Sequence, residues 1–348
     1  MALLDVKHVS IEYKTEAGTL KAVDDVSFSL EVGESVGLVG ESGCGKTTLA
    51  KSIMRLLAKN GRVSNGQMIF KDEDLVTKTD EELRKLRLNE IAMISQSAMN
   101  ALNPVYTVGD QLIEGIRIHS KMAREQAMER AVEVFRMVGL EAKRLKSYPH
   151  QMSGGMKQRA IIAMAMSLNP SLIIADEPTT ALDVVVQDRI LQQIIQVQKE
   201  LNSSMILITH DISVVSETCE TIIVMYGGKI MEKAPTKLFF KKPAHPYSLG
   251  LNNAFPSIHD IGEELISIPG APPNLMDEQL GCRFQERCPF RTEKCQTEVP
   301  PLEEVEKGQF SACHYNHKID HFRSECSKRE TWETVRERMI EERGRDVS

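Results

Sequence analysis

A glycine-rich loop constrains this sequence more than any other feature. The run Gly40-Glu-Ser-Gly-Cys-Gly-Lys-Thr47, called the phosphate loop below, fits the pattern G-x4-G-K-[ST] without a mismatch. A short apolar run, Ser35–Val39, precedes it and a helical pattern, Thr47–Leu57, follows it. Glycines let the backbone fold tightly enough for several N–H groups to converge on phosphate oxygens, and the start of the helix adds partial positive charge. This strand–loop–helix context predicts a nucleotide-binding site.

Individual positions of the phosphate loop have separate predicted roles. Lys46 supplies a mobile positive charge for the β- and γ-phosphates, and the Thr47 hydroxyl is a candidate Mg2+ ligand. Cys44 is interpreted as a loop residue rather than a reactive thiol, because a thiolate beside phosphates would be repelled. The candidate nucleotide contacts here are Gly40, Ser42, Gly43, Cys44, Gly45, Lys46, Thr47 and Thr48.

A second acidic element follows about 130 residues later. The apolar run before Asp176 and Glu177 predicts a buried strand that ends in two carboxylates. The first carboxylate is placed to hold Mg2+ opposite the phosphate loop, and the second to polarise an attacking water. His210 ends the next buried strand, where side chains of an α/β sheet reach the ligand crevice. A surface acidic pair and an ordinary loop histidine are the alternatives.

Strand and helix patterns predict the organisation of the chain. Buried strands that alternate with helices indicate a parallel α/β core, and period-two runs at 3–13 and 22–30 indicate an added antiparallel layer. Residues 221–231 are expected to form an edge hairpin. Proline becomes frequent after Lys241, and the chain ends in a charge-dense segment. We divide the chain into residues 1–240, a C-terminal extension at 241–325 and a charged tail at 326–348.

Composition excludes several classes of protein. The formal charge of −6 argues against a protein that coats nucleic acid, and 41% hydrophobic residues argue against global disorder. No apolar run approaches the roughly 18 residues that cross a bilayer, and the first ten residues lack the apolar region of a signal peptide. A cytosolic protein is expected, with any membrane role exerted through a partner.

Cysteines concentrate near the C-terminus. Cys282, Cys288, Cys295 and Cys313 fall in a run with spacings x5, x6 and x17, and Cys326 follows as a spare in the charged tail. In a reducing cytosol such clustering favours metal binding over disulfides. Four thiolates suit tetrahedral zinc or an iron–sulfur cluster, and the spacing does not decide between them. Unpaired core cysteines are the remaining alternative.

A family resemblance unites these motifs. The run Met152-Ser-Gly-Gly-Met-Lys-Gln-Arg159 resembles the signature sequence of ABC transporter ATPases, with Met152 where that family usually has leucine. The other motifs occur in the order of the same family, so that the resemblance covers roughly residues 3–240. These motifs are Tyr13, the phosphate loop, Gln96, the signature, Asp176–Glu177, Ala181-Leu-Asp183 and His210.

The resemblance implies a fold and an assembly. The fold is a P-loop RecA-like α/β core with an antiparallel β subdomain and a helical subdomain, followed by a small irregular Cys-rich extension. Two such domains face head to tail, so that each ATP lies between the phosphate loop of one chain and the signature of the other. Ser153 and Gly155 are the implied signature contacts, which agrees with the phosphate affinity of a helix N-terminus. Tyr13 is expected to stack on adenine.

The resemblance also implies catalytic roles. Glu177 is the general base, and His210 holds the γ-phosphate. Gln96 contacts Mg2+ and the attacking water and relays to the membrane partner, while Asp183 lines the dimer seam. With Glu177 and the signature both present, the chain is expected to hydrolyse ATP.

A narrower resemblance concerns the C-terminal extension. His245-Pro-Tyr247 and the cysteines after it resemble the ATP-binding subunits of oligopeptide/dipeptide importers, and residues 97–104 resemble their coupling region. This resemblance implies a [4Fe-4S] cluster on Cys282, Cys288, Cys295 and Cys313, with zinc as the alternative. We assign no chemistry to Pro246 and Tyr247.

The leading hypothesis is therefore the ATPase motor of a membrane importer. Its implied partners are two permease subunits, a second ATP-binding subunit that is a paralogue or a copy of itself, and, indirectly, an extracytoplasmic substrate-binding protein. It would lie peripherally at the cytoplasmic face of the membrane and bind no nucleic acid. Peptides are the expected cargo, and oligosaccharides such as β-glucosides, or nickel, are the alternatives. A soluble ABC ATPase of DNA repair or translation and a P-loop kinase are less favoured.

Overall fold

Two β-sheets organise the protein. The structure, a computed structural model, describes residues 2–95, 101–179, 184–254, 267–277 and 279–346. The strands are β1 (Ala2–Thr15), β2 (Gly18–Glu31), β3 (Ser35–Val39), β4 (Gly61–Phe70), β5 (Glu73–Asp74), β6 (Ile91–Ile94), β7 (Leu172–Asp176), β8 (Ser204–Ile208), β9 (Thr221–Tyr226), β10 (Lys229–Pro235), β11 (Glu303–Glu306) and β12 (Gln309–Ser311).

Helices cover and connect the sheets. They are α1 (Lys46–Ile53), α2 (Asp80–Leu86), α3 (Val108–His119), α4 (Arg124–Met137), α5 (Gly154–Ala165), α6 (Val184–Leu201), α7 (Ile212–Thr218), α8 (Thr236–Lys241), α9 (Pro246–Asn253), α10 (Glu293–Thr297), α11 (Ile319–Cys326) and α12 (Arg329–Asp346), with short 3-10 turns between some of them.

The smaller sheet is antiparallel and has the strand order β2-β1-β4-β5. In β2, Val26, Phe28 and Leu30 are buried while Asp25 is exposed, as the period-two pattern predicts. The long β1–β2 hairpin buries its apolar face against α1, whose Leu49 is also buried. The predicted antiparallel layer is confirmed.

The larger sheet has the order β11-β12-β10-β9-β3-β8-β7-β6. Its β9-β3-β8-β7-β6 part is parallel, and every residue of β3, β7 and β8 is buried, which explains their continuous apolar sequences. Because parallel strands end at the same edge of a sheet, the loops after β3, β8 and β7 lie side by side. The predicted parallel α/β core is confirmed, and this edge positions the site.

Helices α3, α4 and α5 pack together as a helical layer. Helices α3 and α4 are separated by a short break after His119. Thr107 caps the first by accepting a hydrogen bond from the Asp110 N–H, and Ser120 leaves it in an extended conformation. Buried Ile116, Ala131 and Phe135 form part of the core of this layer.

The C-terminal extension joins the larger sheet. Strand β12 pairs with β10, with Glu232 opposite Ser311, so the predicted edge hairpin at 221–231 is not at an edge. The extension is also more regular than expected, since it contributes two strands and several helices. The charged tail is helical at α12, and its Trp332 is buried. The sequence pattern did not predict that β12 pairs with β10, because the two strands lie far apart in the sequence.

A fully buried carboxylate, Glu232, fastens the extension to the sheet. It accepts hydrogen bonds from the backbone N–H groups of Ala244 at 3.0 Å and His245 at 2.8 Å, and from Gln309 Nε2 at 2.8 Å. Burial raises the pKa of Glu232, while these donors oppose the rise. The carboxylate therefore satisfies three donors that have no access to water.

Replacing this carboxylate should destabilise the extension. We expect Glu232→Ala to lower the free energy of unfolding by about 3 kcal/mol, because the truncation leaves buried N–H donors without an acceptor. Urea unfolding followed by the fluorescence of Trp332, the single tryptophan, measures the change. Glu303→Ala, at an exposed position of β11, is the control and should match the wild type. Equal midpoints for both variants would contradict this role of Glu232.

Candidate functional site

The phosphate loop follows β3 and has a backbone that only glycine accommodates at two points. Gly40 has φ 144° and Gly45 has φ 102°. A Cβ atom would lie 2.1 Å from the Met225 carbonyl oxygen at Gly40, and 2.4 Å from the Ala22 carbonyl oxygen at Gly45. The loop is therefore folded tightly against β2 and β9, and its shape is fixed by packing as well as by sequence.

Lys46 begins α1 with its ammonium group inside the phosphate loop. Nζ donates hydrogen bonds to the carbonyl oxygens of Gly40 at 2.7 Å and Glu41 at 2.9 Å, and the residue is buried. Cys44 is also buried, and burial raises the pKa of its thiol, so the thiol stays protonated near neutral pH. Ser42 and Gly43 are exposed at the mouth of the loop, and Thr48 is half-buried.

Thr47 and Asp176 meet although 129 residues separate them. The Thr47 hydroxyl donates to Asp176 Oδ1 at 3.0 Å, and Asp176 is buried at the end of β7. Burial raises the pKa of Asp176, and the Thr47 hydrogen bond partly offsets that rise. A hydroxyl and a carboxylate beside a phosphate-binding loop are oxygen donors of the kind that Mg2+ prefers. The residues present therefore fit this cation.

Glu177 and His210 form a second pair at the same edge of the sheet. Glu177 Oε1 lies 3.3 Å from His210 Nδ1, and the Glu177 N–H donates to the Ile208 carbonyl oxygen at 2.9 Å. Glu177 has φ 46°, in the left-handed region that non-glycine residues seldom occupy. Such strain is often kept at functional sites. Its side chain is mostly buried, whereas that of His210 is exposed.

The signature presents a helix N-terminus to solvent. Ser153 is exposed and caps α5, with its Oγ accepting from the Met156 N–H at 3.4 Å. Gln158, one turn further, is buried and its Nε2 donates to the Pro178 carbonyl oxygen at 2.6 Å. This residue, for which the sequence predicted no role, joins the signature helix to the segment directly after Glu177. Its place within the signature motif was the available signal.

Three sequence-predicted positions remain to be placed. Tyr13 is half-buried on β1, and its ring crosses Gly61, where a Cβ atom would come within 2.5 Å of Tyr13 Cε1. Gln96 and Asp183 lie outside the described residues, as does part of the 97–104 segment. Tyr247, to which no chemistry was assigned, is fully buried, and its hydroxyl accepts from the Glu41 N–H of the phosphate loop at 3.1 Å.

The four clustered cysteines line a common small cavity. Apolar and aromatic side chains, including Phe284, Phe290 and Phe322, complete its wall. All seven cysteines are free thiols, and the Cys282 N–H donates to the Cys295 carbonyl oxygen at 2.8 Å. Burial raises the pKa of Cys282 to about 12 and that of Cys313 to about 11. The cavity is lined by Cys282, Cys288, Cys295 and Cys313.

A preformed metal centre is not evident here. Across the ranges that the structure describes, no three or more His, Cys, Asp or Glu side chains are arranged to hold a metal ion. The donor chemistry nevertheless fits a thiophilic metal or cluster, since four thiols face one apolar space. Cys326 is fully buried in α11 and is not among the residues that line the cavity.

The fold and the paired residues at one sheet edge define an ATPase of the ATP-binding cassette class. Residues 23–180 match the family model described as "ABC transporter", and residues 231–295 match "Oligopeptide/dipeptide transporter, C-terminal region". The chain belongs to the ATP-binding subunits of oligopeptide/dipeptide ABC transporters and is an ATPase that drives transport. The resemblance to ATP-binding subunits of the oligopeptide/dipeptide importer family is confirmed, and the comparisons do not extend to the [4Fe-4S] cluster that it implied.

Individual relatives support this assignment. The chain is 46% identical over 314 residues to the oligopeptide transport ATP-binding protein OppD of Escherichia coli (strain K12), covering 90% of this chain and 93% of that protein. It is 42% identical over 317 residues to the dipeptide transport ATP-binding protein DppD of the same organism, covering 90% and 97%.

Solved cassettes share the fold. A dimeric post-hydrolysis structure of the ATP-binding cassette MJ0796, bound to ADP and Pi, superposes with a TM-score of 0.61 at 29% identity, covering 67% of this chain and 98% of that chain. A second dimeric MJ0796 structure, titled a bacterial ABC transporter cassette, gives the same values. The predicted cassette fold is thereby confirmed for the part of the chain that these structures cover. No helix in the described part of the chain is long and apolar enough to cross a membrane.

Proposed function

We propose that this chain is the ATP-hydrolysing subunit that powers uptake of di- and oligopeptides through a membrane permease. The observation that carries this proposal is the edge of the larger sheet, where the phosphate loop, the Thr47–Asp176 pair and the Glu177–His210 pair meet. The match of residues 231–295 to the transporter C-terminal region, and the names of the relatives, support peptides as cargo over β-glucosides or nickel.

The nucleotide would bind along the phosphate loop. Backbone N–H groups of the phosphate loop, other than that of Glu41, which donates to Tyr247, would hold the phosphates. Lys46 would exchange its carbonyl partners for phosphate oxygens. Thr47 and Asp176 would hold Mg2+, which neutralises phosphate charge when bound. Tyr13 would stack on adenine and Gln96 would orient the attacking water and contact Mg2+. Ser42, Gly43, Cys44, Gly45 and Thr48 complete the proposed contacts.

Hydrolysis would depend on the second pair. Glu177 would accept a proton from the attacking water as that water bonds to the γ-phosphorus, and the bond to the leaving ADP oxygen would break. His210, at 3.3 Å from Glu177, would orient this carboxylate and contact the γ-phosphate. The backbone strain and the hydrogen bond to Ile208 would fix Glu177 in place.

A second cassette would complete the site. Ser153 and Gly155 of one subunit would contact the γ-phosphate held by the phosphate loop of the other, in a head-to-tail dimer of paralogues or of identical copies. The exposure of Ser153 at the start of α5 supports this arrangement. Asp183 would lie at the seam. ATP binding then closes the dimer, and hydrolysis reopens it.

The remaining partners would be membrane proteins. Two permease subunits would hold the ATPase at the cytoplasmic face of the membrane, and an extracytoplasmic binding protein would deliver cargo. Reconstitution with the permease and binding protein tests this proposal. We expect a mixture of di- and oligopeptides to stimulate ATP hydrolysis, and β-glucosides and nickel to have no effect. Stimulation by β-glucosides or nickel, and not by peptides, would identify that compound as the cargo instead. Co-purification with ribosomes or DNA would contradict the transport role.

We also propose that Cys282, Cys288, Cys295 and Cys313 hold a [4Fe-4S] cluster, with zinc as the alternative. Their shared apolar cavity supports this proposal, because burial of thiolate-bound iron excludes water and oxidants. The spare, Cys326, is not among the residues that line the cavity. A structural or regulatory role is expected, since this cavity is distinct from the ATP site.

Metal analysis should distinguish the two alternatives. We expect anaerobically purified protein to be brown and to contain about four iron and four acid-labile sulfide per chain. Cys288→Ser should lose iron and colour, because it removes a proposed ligand. Cys326→Ser is the matched control and should keep both. Stoichiometric zinc without sulfide would establish the zinc alternative, and retention of iron in Cys288→Ser would contradict the ligand assignment.

A further inference from the structure

The C-terminal extension holds the phosphate loop through one residue, Glu41. Both carboxylate oxygens of Glu41 accept hydrogen bonds from Arg287 Nη1, each at 2.9 Å. The Glu41 N–H donates to the hydroxyl of buried Tyr247 at 3.1 Å. The Glu41 carbonyl oxygen accepts from Lys46 Nζ. Backbone and side chain of this loop residue are thus fixed from two directions.

Arg287 is itself rigidly placed. It is only 3% exposed, and Nη1 also donates to the Tyr226 hydroxyl at 3.1 Å. Its Nε donates to the Pro269 carbonyl oxygen at 2.8 Å, and Nη2 to that of Ile268 at 3.4 Å. A planar guanidinium held on several sides loses little further freedom when it binds a carboxylate. The pair therefore has a defined geometry rather than that of a mobile surface salt bridge.

We infer that Arg287 is a positioning residue for the ATP site, which sets the phosphate loop for nucleotide by binding and neutralising Glu41. Glu41 follows Gly40 and lies within the loop that receives the phosphates. A bare carboxylate there would repel the polyphosphate and would be free to draw the loop out of shape. Arg287 offsets this charge from outside the loop and occupies neither Lys46 nor the backbone N–H groups of the loop.

This role of Arg287 concerns nucleotide binding by the ATPase and does not depend on whether the neighbouring cysteines bind a cluster. It makes the extension part of the ATP-binding machinery rather than an appendage. The simpler interpretation is that Arg287 only cements the extension to the cassette. The two interpretations differ in the property that changes: a purely structural loss at Arg287 lowers the melting temperature and leaves the Kd of the folded protein unchanged, whereas a loss of positioning raises that Kd.

A double-mutant cycle on the full chain tests the inference. Isothermal titration with MgADP gives Kd, and steady-state hydrolysis separates KM for ATP from kcat. We expect Arg287→Gln to raise Kd by about tenfold, because it leaves the Glu41 carboxylate unpaired. Glu41→Gln alone should stay within about threefold of wild type, because no carboxylate is then left in the loop to repel the phosphates. The double variant should recover most of the lost affinity, and kcat at saturating ATP should be unchanged throughout.

A matched control is available in the extension. Arg323 also binds backbone carbonyl oxygens, those of Lys242 and Pro243, but its carboxylate partner is Asp320 rather than Glu41. Arg323→Gln should therefore keep the wild-type Kd. Unchanged affinity in Arg287→Gln would overturn the inference. A double variant that binds MgADP as weakly as Arg287→Gln would also overturn it, because Arg287 would then not act through Glu41. Melting temperatures of all variants show whether the loss of affinity comes from unfolding.

Discussion

Glu177→Gln should bind ATP with nearly wild-type affinity and lose hydrolysis by about a thousandfold, in the middle of the range for removal of a general base. The amide is nearly isosteric, so the left-handed backbone and the hydrogen bond from the Glu177 N–H to Ile208 should survive. A neutral amide cannot accept the proton of the attacking water. Nucleotide should therefore be trapped in a closed dimer.

Single-turnover hydrolysis and size-exclusion chromatography with MgATP measure these two effects. Glu217→Gln is the matched control, since Glu217 is exposed on α7 close after His210 in the chain and should leave turnover unchanged. Hydrolysis in Glu177→Gln within about tenfold of wild type would remove the assignment of the base. A loss of affinity with unchanged kcat would indicate that Glu177 acts on binding instead.

Much of the fold was accessible from the sequence because its strongest signals are local. The buried strand Ser35–Val39 has the bounds that its apolar run predicted. The turn after β3 needs glycines, and the sequence contains them at the positions with positive φ. The helical sequence pattern extends to Leu57, but helix α1 ends earlier, at Ile53.

The pairing of β10 with β12 could not be predicted in the same way. These strands lie far apart in the sequence and two residue pairs, Glu232–Ser311 and Lys233–Phe310, carry the pairing, so no periodicity identifies the partner. The buried position of Glu232 could not be predicted from the sequence either. A charged residue in a strand normally suggests a solvent-facing position, and only the tertiary fold supplies the three donors that satisfy it.

The candidate site shows the same division between local and distant information. The sequence placed Asp176, Glu177 and His210 at strand ends and Thr47 at the end of the phosphate loop, and the sheet order then brought them together. Arg287 carries no motif of its own, and a lone arginine beside a cysteine would normally be interpreted as surface charge. Its function depends on contacts with Glu41 that arise only when the extension folds back on the loop.

Lys46→Ala should differ from Glu177→Gln in the step that it removes. Lys46 Nζ lies inside the phosphate loop and donates hydrogen bonds to the carbonyl oxygens of Gly40 and Glu41. Its replacement removes the positive charge that phosphates would meet and leaves two carbonyl oxygens facing them. We expect nucleotide binding to weaken by about 3 kcal/mol, or roughly a hundredfold in Kd.

Titration with MgADP measures this loss without interference from hydrolysis. Lys59→Ala, at an exposed position a few residues beyond α1, should bind like the wild type and controls for the change in net charge. If Lys46→Ala kept its affinity for nucleotide and lost only turnover, the lysine would act in the transition state alone. The phosphate loop backbone would then suffice for binding, and Lys46, like Glu177, would act on hydrolysis rather than on nucleotide affinity.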